Sequence, residues 1–161
     1  MDLQLKDKKA LVTGSSMGIG KAIAVALARE GAFVILNGRS AQNVQKSLQE
    51  LQASIPQGRF ATIVADLGTN EGCQQAIQEQ PEVDILVNNL GIFEASDFFE
   101  TSDEQWQKIF DINIMSGVRL CRHYLKRMME KRWGALSLYP ASLASRPRPR
   151  WLTIAQPRPC S

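Results

Sequence analysis

Three glycines within seven residues form the part of this chain best suited to chemistry. They lie in Thr13-Gly14-Ser15-Ser16-Met17-Gly18-Ile19-Gly20, between an apolar run at Ala10–Val12 and a helix-like run at Lys21–Arg29. Glycine lets a backbone turn tightly and approach a ligand, and a helix starting near Ile19 directs unpaired N–H groups at the gap. The segment predicts a phosphate-binding turn for an anionic cofactor, although an ordinary strand-to-helix connection is the alternative.

The glycine spacing separates this turn from two better-known nucleotide loops. Gly14-x-x-x-Gly18-x-Gly20 does not match G-x-G-x-x-G, and Ala22 follows Lys21 where a P-loop needs serine or threonine. Residues elsewhere in the chain must therefore identify the cofactor.

Length and composition predict one globular domain of 161 residues with a sizeable core. No apolar run is long enough to span a membrane, and Met1–Lys9 is too polar for a signal peptide, so we expect a cytoplasmic protein without membrane contact. The net charge of +3 comes from a tail without acids, which gives no reason to expect nucleic-acid binding. The tail arginines are Arg146, Arg148, Arg150 and Arg158.

The cysteines and the single histidine favour neither a disulfide framework nor a metal site. Cys73, Cys121 and Cys160 are odd in number and widely spaced. Cys121 and His123 are two positions apart on a predicted helix, so they face different directions. We interpret all four as packing or surface residues.

Beyond the glycine loop, strand-like and helix-like segments alternate. Continuously apolar strands such as Val34-Ile35-Leu36 are typical of sheets covered on both faces. The pattern predicts an α/β fold, a Rossmann-like doubly wound parallel sheet that stops after four or five strands. The predicted segments are strands at 33–37, 61–65 and 84–88 and helices at 41–51 and 71–78.

Two further helices are expected before residue 134. Ser102 and Gln105 form a capping-box pattern at the start of the first. The second, at 112–131, has apolar residues at three- and four-residue steps that predict one buried stripe, with Met129 as additional core. The stripe consists of Val118, Cys121, Leu125 and Met128.

A change of composition after Gly134 marks a domain boundary. We expect residues 1–134 to form an incomplete dinucleotide-binding domain, and residues 135–161 to form an aberrant Pro/Arg-rich tail. One short strand at 135–139 fits the tail, followed by disorder, because Arg146–Arg150 contains prolines that suit neither sheet nor helix. Because the elements that would complete the sheet are absent, we expect the fourth strand to lack a proper outer neighbour, and the exposed sheet edge could pair with another subunit.

Arg39 follows the second strand about 20 residues after the glycine loop, in the region that recognises the adenosine ribose of a dinucleotide. Gly38 precedes it where an acid would hold a free 2′-hydroxyl, so a 2′-phosphate is the better partner. NADP(H) is therefore favoured over NAD(H). A surface arginine in a turn is the alternative.

Two more polar segments end strands at the same edge of the sheet, where parallel sheets bind ligands. Asp66-Leu67 follows the third strand, and Asn88-Asn89-Leu90-Gly91 follows the fourth. Asp66 could instead cap the next helix, and the asparagines with Gly91 could form a turn that tolerates positive φ.

In order and spacing, these segments resemble the classical short-chain dehydrogenase/reductase family. The family pattern is Thr-Gly-x-x-x-Gly-x-Gly, an Asp after the third strand, Asn-Asn-Ala-Gly after the fourth, and an Asn in the following helix. This chain matches at Thr13–Gly20, Asp66, Asn88–Gly91 and Asn113, with Leu90 in place of alanine. The resemblance covers residues 6–134 and implies an NAD(P)-dependent oxidoreductase that transfers hydride between nicotinamide and a carbonyl or alcohol.

The resemblance also implies a role for each matching residue. The glycine loop would hold the pyrophosphate, Arg39 the adenosine phosphate, and Asp66 with Leu67 the adenine. Asn113 would hold a water in a proton relay, and without the resemblance it would be a surface or kink residue. The implied cofactor-binding residues are Thr13, Gly14, Ser16, Gly18, Ile19, Gly20, Arg39, Asp66, Leu67, Asn89 and Gly91.

The family's catalytic serine and Tyr-x-x-x-Lys have no counterpart in this sequence. Four residues after Tyr124 and Tyr139 stand Met128 and Leu143. We therefore expect negligible turnover, so that Asn113 is the one relay residue present. A non-catalytic dinucleotide- or partner-binding module, and an unstable product of a disrupted gene, are the alternatives.

A displaced reading frame would account for the missing motifs. Shifted by two bases, the codons of residues 153–158 can encode His-Tyr-Ser-Ala-Thr-Lys, and those of residues 135–144 can encode Val-Ile-Phe-Ile-Ser-Ser-Glu-Ser-Gly. We hypothesise a frameshift near Gly134 followed by truncation.

Overall fold

Strands and helices alternate along the chain. The computed structural model describes residues 4–94 and 97–138. The strands are β1 (Lys9–Val12), β2 (Phe33–Gly38), β3 (Arg59–Val64), β4 (Ile85–Asn88) and β5 (Ala135–Leu138). The helices are α1 (Gly18–Arg29), α2 (Ala41–Ser54), α3 (Asn70–Glu79), α4 (Asp103–Phe110) and α5 (Ser116–Glu130), with a π-helical turn at Asp111–Met115 between the last two.

The five strands form one parallel sheet in the order β3-β2-β1-β4-β5. β1 lies at its centre, with Val12 beside Leu36 of β2 and Val87 of β4. The Rossmann-like α/β prediction is confirmed. Because all strands run the same way, the loops that follow them meet at one edge.

Alternate residues of the strands enter two separate cores. Leu11 faces the layer formed by α3 and α5, whereas Ala10 and Val12 face the layer formed by α1 and α2. All three are fully buried. Helices therefore cover both faces of the sheet, which explains why its strands are apolar without alternation.

The buried face of α5 differs from the predicted stripe. The helix buries Ser116, Leu120, Tyr124 and Met128, whereas Val118 is 39% exposed and Met129 is 77% exposed. Cys121 and Leu125 are partly buried at the rim of the same core. A buried tyrosine usually needs a hydrogen-bond partner for its hydroxyl. The prediction missed Tyr124 because this partner, the carbonyl of Gln80 at 2.8 Å, lies 44 residues away in the sequence.

The expectation that β4 lacks an outer neighbour is wrong. β5 pairs with β4 in parallel, from Ile85 beside Ala135 to Asn88 beside Leu138. All four residues of β5 are exposed, and this strand is one edge of the described sheet, with β3 at the other. Tyr139, Cys160, the arginine-rich segment and the codon-shifted segment at 153–158 lie outside the described residues.

Within the two described ranges, no helix has the length and apolarity that crossing a membrane requires. The same ranges contain no group of three or more potential metal ligands.

Candidate functional site

A cavity of about 490 Å³ opens at the carboxyl ends of β1 to β4. Every cofactor-binding residue predicted from the sequence lines it except Thr13. The predicted lining residues are Gly14, Ser16, Gly18, Ile19, Gly20, Arg39, Asp66, Leu67, Asn89 and Gly91. Residues that the sequence reading did not assign to it include Met17, Asn37, Ser40, Asn43, Ala65, Ile92 and Ile112.

The glycines of the loop between β1 and α1 are required for different structural reasons. Gly14 and Gly18 have φ values of +60° and +58°, in the left-handed region that favours glycine. A Cβ on Gly18 would enter open space beside the cavity, whereas a Cβ on Gly20 would collide with the Asn89 side-chain amide and the Gly14 carbonyl. Gly18 therefore leaves room for a ligand, and Gly20 lets α1 pack against the end of β4.

The first turn of α1 has free anion-binding capacity. Met17 occupies the N-cap position of α1, where no side chain caps the helix, and the first turn of α1 contains no acidic residue. By contrast, Ser40, Thr69 and Ser102 cap α2, α3 and α4 with their hydroxyl oxygens. The unpaired N–H groups and the helix dipole at this end of α1 are suited to a negatively charged group in the cavity.

Asn37, in β2, holds the glycine loop from below. Its side chain is 1% exposed, and its Oδ1 accepts a hydrogen bond from Gly14 N at 3.1 Å. Its Nδ2 donates to the carbonyls of Ile63 and Ala65, both at 3.2 Å. A polar residue inside an otherwise apolar strand was the sequence signal for this role.

Thr13 lies beneath the cavity and connects β1 with β4. It is 1% exposed, and its hydroxyl oxygen accepts hydrogen bonds from the backbone N–H groups of Asn89 and Leu90, both at 2.9 Å. The Asn89 side chain donates back to the carbonyls of Thr13 and Gly14 at 3.1 and 3.2 Å. These bonds fix the loops after β1 and β4 relative to each other.

Two charged side chains line the cavity. Arg39 is exposed at the end of β2, beside Ser40 and Asn43, and Asp66 follows β3. Asp66 Oδ1 accepts a hydrogen bond from Gly68 N at 3.0 Å, whereas Thr69 caps α3. The cap alternative for Asp66 is therefore wrong. The β2 end of the cavity contains a cation and no carboxylate.

Asn113 lies in the π-helical turn and is exposed beside the cavity rather than among its lining residues. Its Oδ1 accepts from Ile92 N at 2.7 Å, and its Nδ2 donates to Ile92 O at 3.0 Å. This paired contact orients the loop after β4, whose Ile92 and Gly91 do line the cavity. Asn88 is directed elsewhere, since its Nδ2 donates to Cys121 Sγ at 3.4 Å.

Tyr124 is buried away from this cavity and is not a catalytic candidate. It is 0% exposed, and burial raises the pKa of its phenol. Its hydroxyl donates to Gln80 O, which joins α5 to the end of α3. Burial likewise raises the pKa of the Cys73 thiol to about 11, so this cysteine is a neutral core residue.

Comparisons with known proteins agree with this arrangement. The family model described as short chain dehydrogenase matches residues 8–145. An uncharacterized oxidoreductase, YvaG, of Bacillus subtilis (strain 168) is 50% identical over 147 residues, which are 91% of this chain and 56% of that protein. The 3-oxoacyl-acyl-carrier-protein reductase FabG of Escherichia coli (strain K12) is 34% identical over 134 residues, which are 83% of this chain and 54% of that protein.

Among solved structures, the L-sorbose reductase of Gluconobacter frateurii complexed with NADPH and L-sorbose superposes with a TM-score of 0.78. It is 33% identical, and the match covers 84% of this chain and 53% of the reductase. The chain thus spans about half the length of the relatives it matches. The family match covers most of the sequence and includes every segment around the cavity, so the chain belongs to the short-chain dehydrogenase family.

Proposed function

We propose that this chain binds NADP(H) in the cavity at the carboxyl ends of β1 to β4, and that it does so without turning over a substrate. The observation that carries the proposal is the combination of an uncapped α1, a glycine loop open at Gly18, and Arg39 at the β2 end. These features supply complementary groups for a pyrophosphate and for a ribose 2′-phosphate within one cavity.

Each part of the cavity has a proposed task. The N-terminal turn of α1 holds the pyrophosphate, and Arg39 contacts the 2′-phosphate, with Ser40 and Asn43 beside it. Asp66 and Leu67 contact the adenine, and Asn89 and Gly91 border the nicotinamide ribose. The residues before 135 supply this dinucleotide-binding unit.

When bound, the nicotinamide would donate hydride to a carbonyl or accept hydride from an alcohol. In intact family enzymes, a tyrosine with a lowered pKa moves the accompanying proton. Tyr124 cannot do so here, because it is buried, its pKa is raised, and its hydroxyl is bonded to Gln80 O. Asn113 keeps its contact with Ile92 but has no tyrosine or lysine partner among the described residues. We therefore expect nucleotide binding and no measurable oxidoreduction by these 161 residues.

The preference for NADP(H) is tested by the Arg39→Ala variant. Loss of a charge-assisted contact should weaken NADPH binding by roughly tenfold or more and leave NADH binding nearly unchanged. Arg29→Ala, at the far end of α1 and outside the cavity, is the matched control. Equal effects of Arg39→Ala on both nucleotides would contradict the 2′-phosphate role.

The inactivity is tested by following NADPH absorbance in the presence of a panel of small ketones, aldehydes and sugars. The protein should show no oxidation above a sample purified from cells with an empty vector. Turnover above that control would overturn the second half of the proposal.

A second candidate is a partner-binding module that uses the edge of β5. The four exposed residues Ala135–Leu138 include Leu136 at 39% and Leu138 at 67% exposure. An exposed strand edge can pair with a strand of another chain. Sedimentation velocity distinguishes the candidates, since pairing through this edge predicts a concentration-dependent dimer. Leu136→Pro should abolish that dimer, because Ala135 N donates inward to Asp84 O and the N–H of the next residue faces outward. A monomer at all concentrations would exclude pairing through β5.

A further inference from the structure

Ser47 is the polar member of an otherwise apolar buried stripe. The inward face of α2 consists of Val44, Ser47 and Leu51, and Ser47 is 2% exposed. A buried hydroxyl is unfavourable unless it is hydrogen-bonded, and alanine would pack and form helix as well at this position. The hydroxyl of Ser47 therefore has a partner that explains its presence.

That partner belongs to the glycine loop. Ser47 Oγ donates a hydrogen bond of 2.6 Å to the carbonyl oxygen of Ser16, 31 positions away in the sequence. Ser16 lines the cavity, and its side chain lies over the end of β2, where a Cβ on Gly38 would be 2.9 Å from Ser16 Oγ and from Val44 Cγ2. The bond thus joins α2, whose start carries Ser40 and Asn43, to the loop.

The bond also determines the orientation of one peptide plane. The described chain has no cis peptide bond, so the carbonyl of Ser16 and the N–H of Met17 point in opposite directions. With the carbonyl held by α2, the Met17 N–H is directed away from α2, at the uncapped start of α1. A rotated peptide would instead present a carbonyl oxygen at that position and repel an anion.

We propose that Ser47 is a positioning residue for the phosphate-binding loop: it fixes the Ser16–Met17 peptide so that its N–H, and not its carbonyl, is available to the cofactor's pyrophosphate. This inference rests on the proposed binding of NADP(H). Ser47 does not itself line the cavity and acts through Ser16.

Three ligands separate positioning of the loop from general damage. NADPH and NADH both contain the pyrophosphate, whereas 2′-AMP carries the phosphate assigned to Arg39 and no pyrophosphate. Ser47→Ala should raise Kd for NADPH and NADH alike by roughly fivefold, and leave Kd for 2′-AMP unchanged. Ser54→Ala, which removes another serine hydroxyl from the same helix far from the cavity, is the matched control and should change none of the three.

Amide hydrogen exchange of the unliganded protein supplies a readout that needs no nucleotide. Ser47→Ala should accelerate exchange in peptides covering residues 14–18, while peptides from the core of α2 exchange as in the wild type. Unchanged nucleotide affinities, or equal weakening of all three ligands, would overturn the role of Ser47 while the wild type still binds. If the wild-type chain binds neither NADPH nor NADH, the proposed function fails first and this inference falls with it.

Discussion

Alanine substitutions at Gly18 and Gly20 should have different consequences although the two glycines are two residues apart. Gly20→Ala places a methyl group against the Asn89 side-chain amide and the Gly14 carbonyl. Relief of this contact costs the two hydrogen bonds that Asn89 Nδ2 makes to Thr13 O and Gly14 O, about 1 kcal/mol each, and adds overpacking of about 1–3 kcal/mol. The expected loss in free energy of unfolding is about 3–5 kcal/mol.

Gly18→Ala meets no neighbouring atom, so its cost is confined to the backbone. A φ of +58° is unfavourable by roughly 1–2 kcal/mol for a residue with a Cβ. Its methyl group would enter the open space beside the cavity, so NADPH binding should weaken even though the fold persists. Gly20→Ala should instead lose stability and binding together.

Urea denaturation followed by tryptophan fluorescence measures both effects, with an unchanged slope showing that the unfolded states are comparable. Ala22→Gly is the control substitution, because it exchanges the same two residue types at an exposed position of α1 outside the cavity. If Gly20→Ala is no less stable than Gly18→Ala, the packing of α1 against Asn89 does not hold the loop in the way described.

Three further outcomes follow from the buried polar groups. Asn37→Ala should lower the free energy of unfolding by about 2–3 kcal/mol, because it removes the side-chain hydrogen bonds to one amide and two carbonyls. A loss under about 0.5 kcal/mol in urea denaturation would contradict the role of Asn37 in holding the glycine loop. Tyr124→Phe should lower the free energy of unfolding by about 1 kcal/mol through the lost hydrogen bond to Gln80 O, and should leave NADPH affinity unchanged. A changed affinity in the titration would show that α5 is energetically coupled to the cavity. For Cys73, the raised pKa of about 11 means that its stabilising contribution is complete below pH 9 and is lost as pH rises towards 11. The wild type should therefore lose more stability than Cys73→Ala between pH 9 and pH 11, and the native thiol should resist alkylation at pH 8, whereas parallel stability curves or rapid alkylation would contradict its burial.

Much of the lining of the cavity could be predicted because its residues belong to patterns that are local in sequence. The glycine spacing, an arginine at a strand end and polar residues after apolar strands can each be recognised within a few positions of the sequence. Parallel order then brings the separate strand ends together at one edge. That is why the α/β fold and the segments around the cavity follow from the sequence.

The supporting contacts were harder to predict because they depend on distant pairs. Asn37 and Ser47 bond to the glycine loop from positions 23 and 31 residues away, and neither belongs to the recognised motif. The buried face of α5 was misjudged for a similar reason. Tyr124 is compatible with the core only because Gln80, 44 residues earlier, accepts its hydrogen bond.

Binding of NADPH in the cavity is best tested by isothermal titration of the nucleotide into the purified 161-residue chain, at a protein concentration that sedimentation has shown to be free of aggregates. We predict saturable binding at one NADPH per chain, weakened by Arg39→Ala and retained in Tyr124→Phe. Absence of any binding heat across temperatures, with a cooperatively folded chain, would contradict the assignment of the cavity to a dinucleotide.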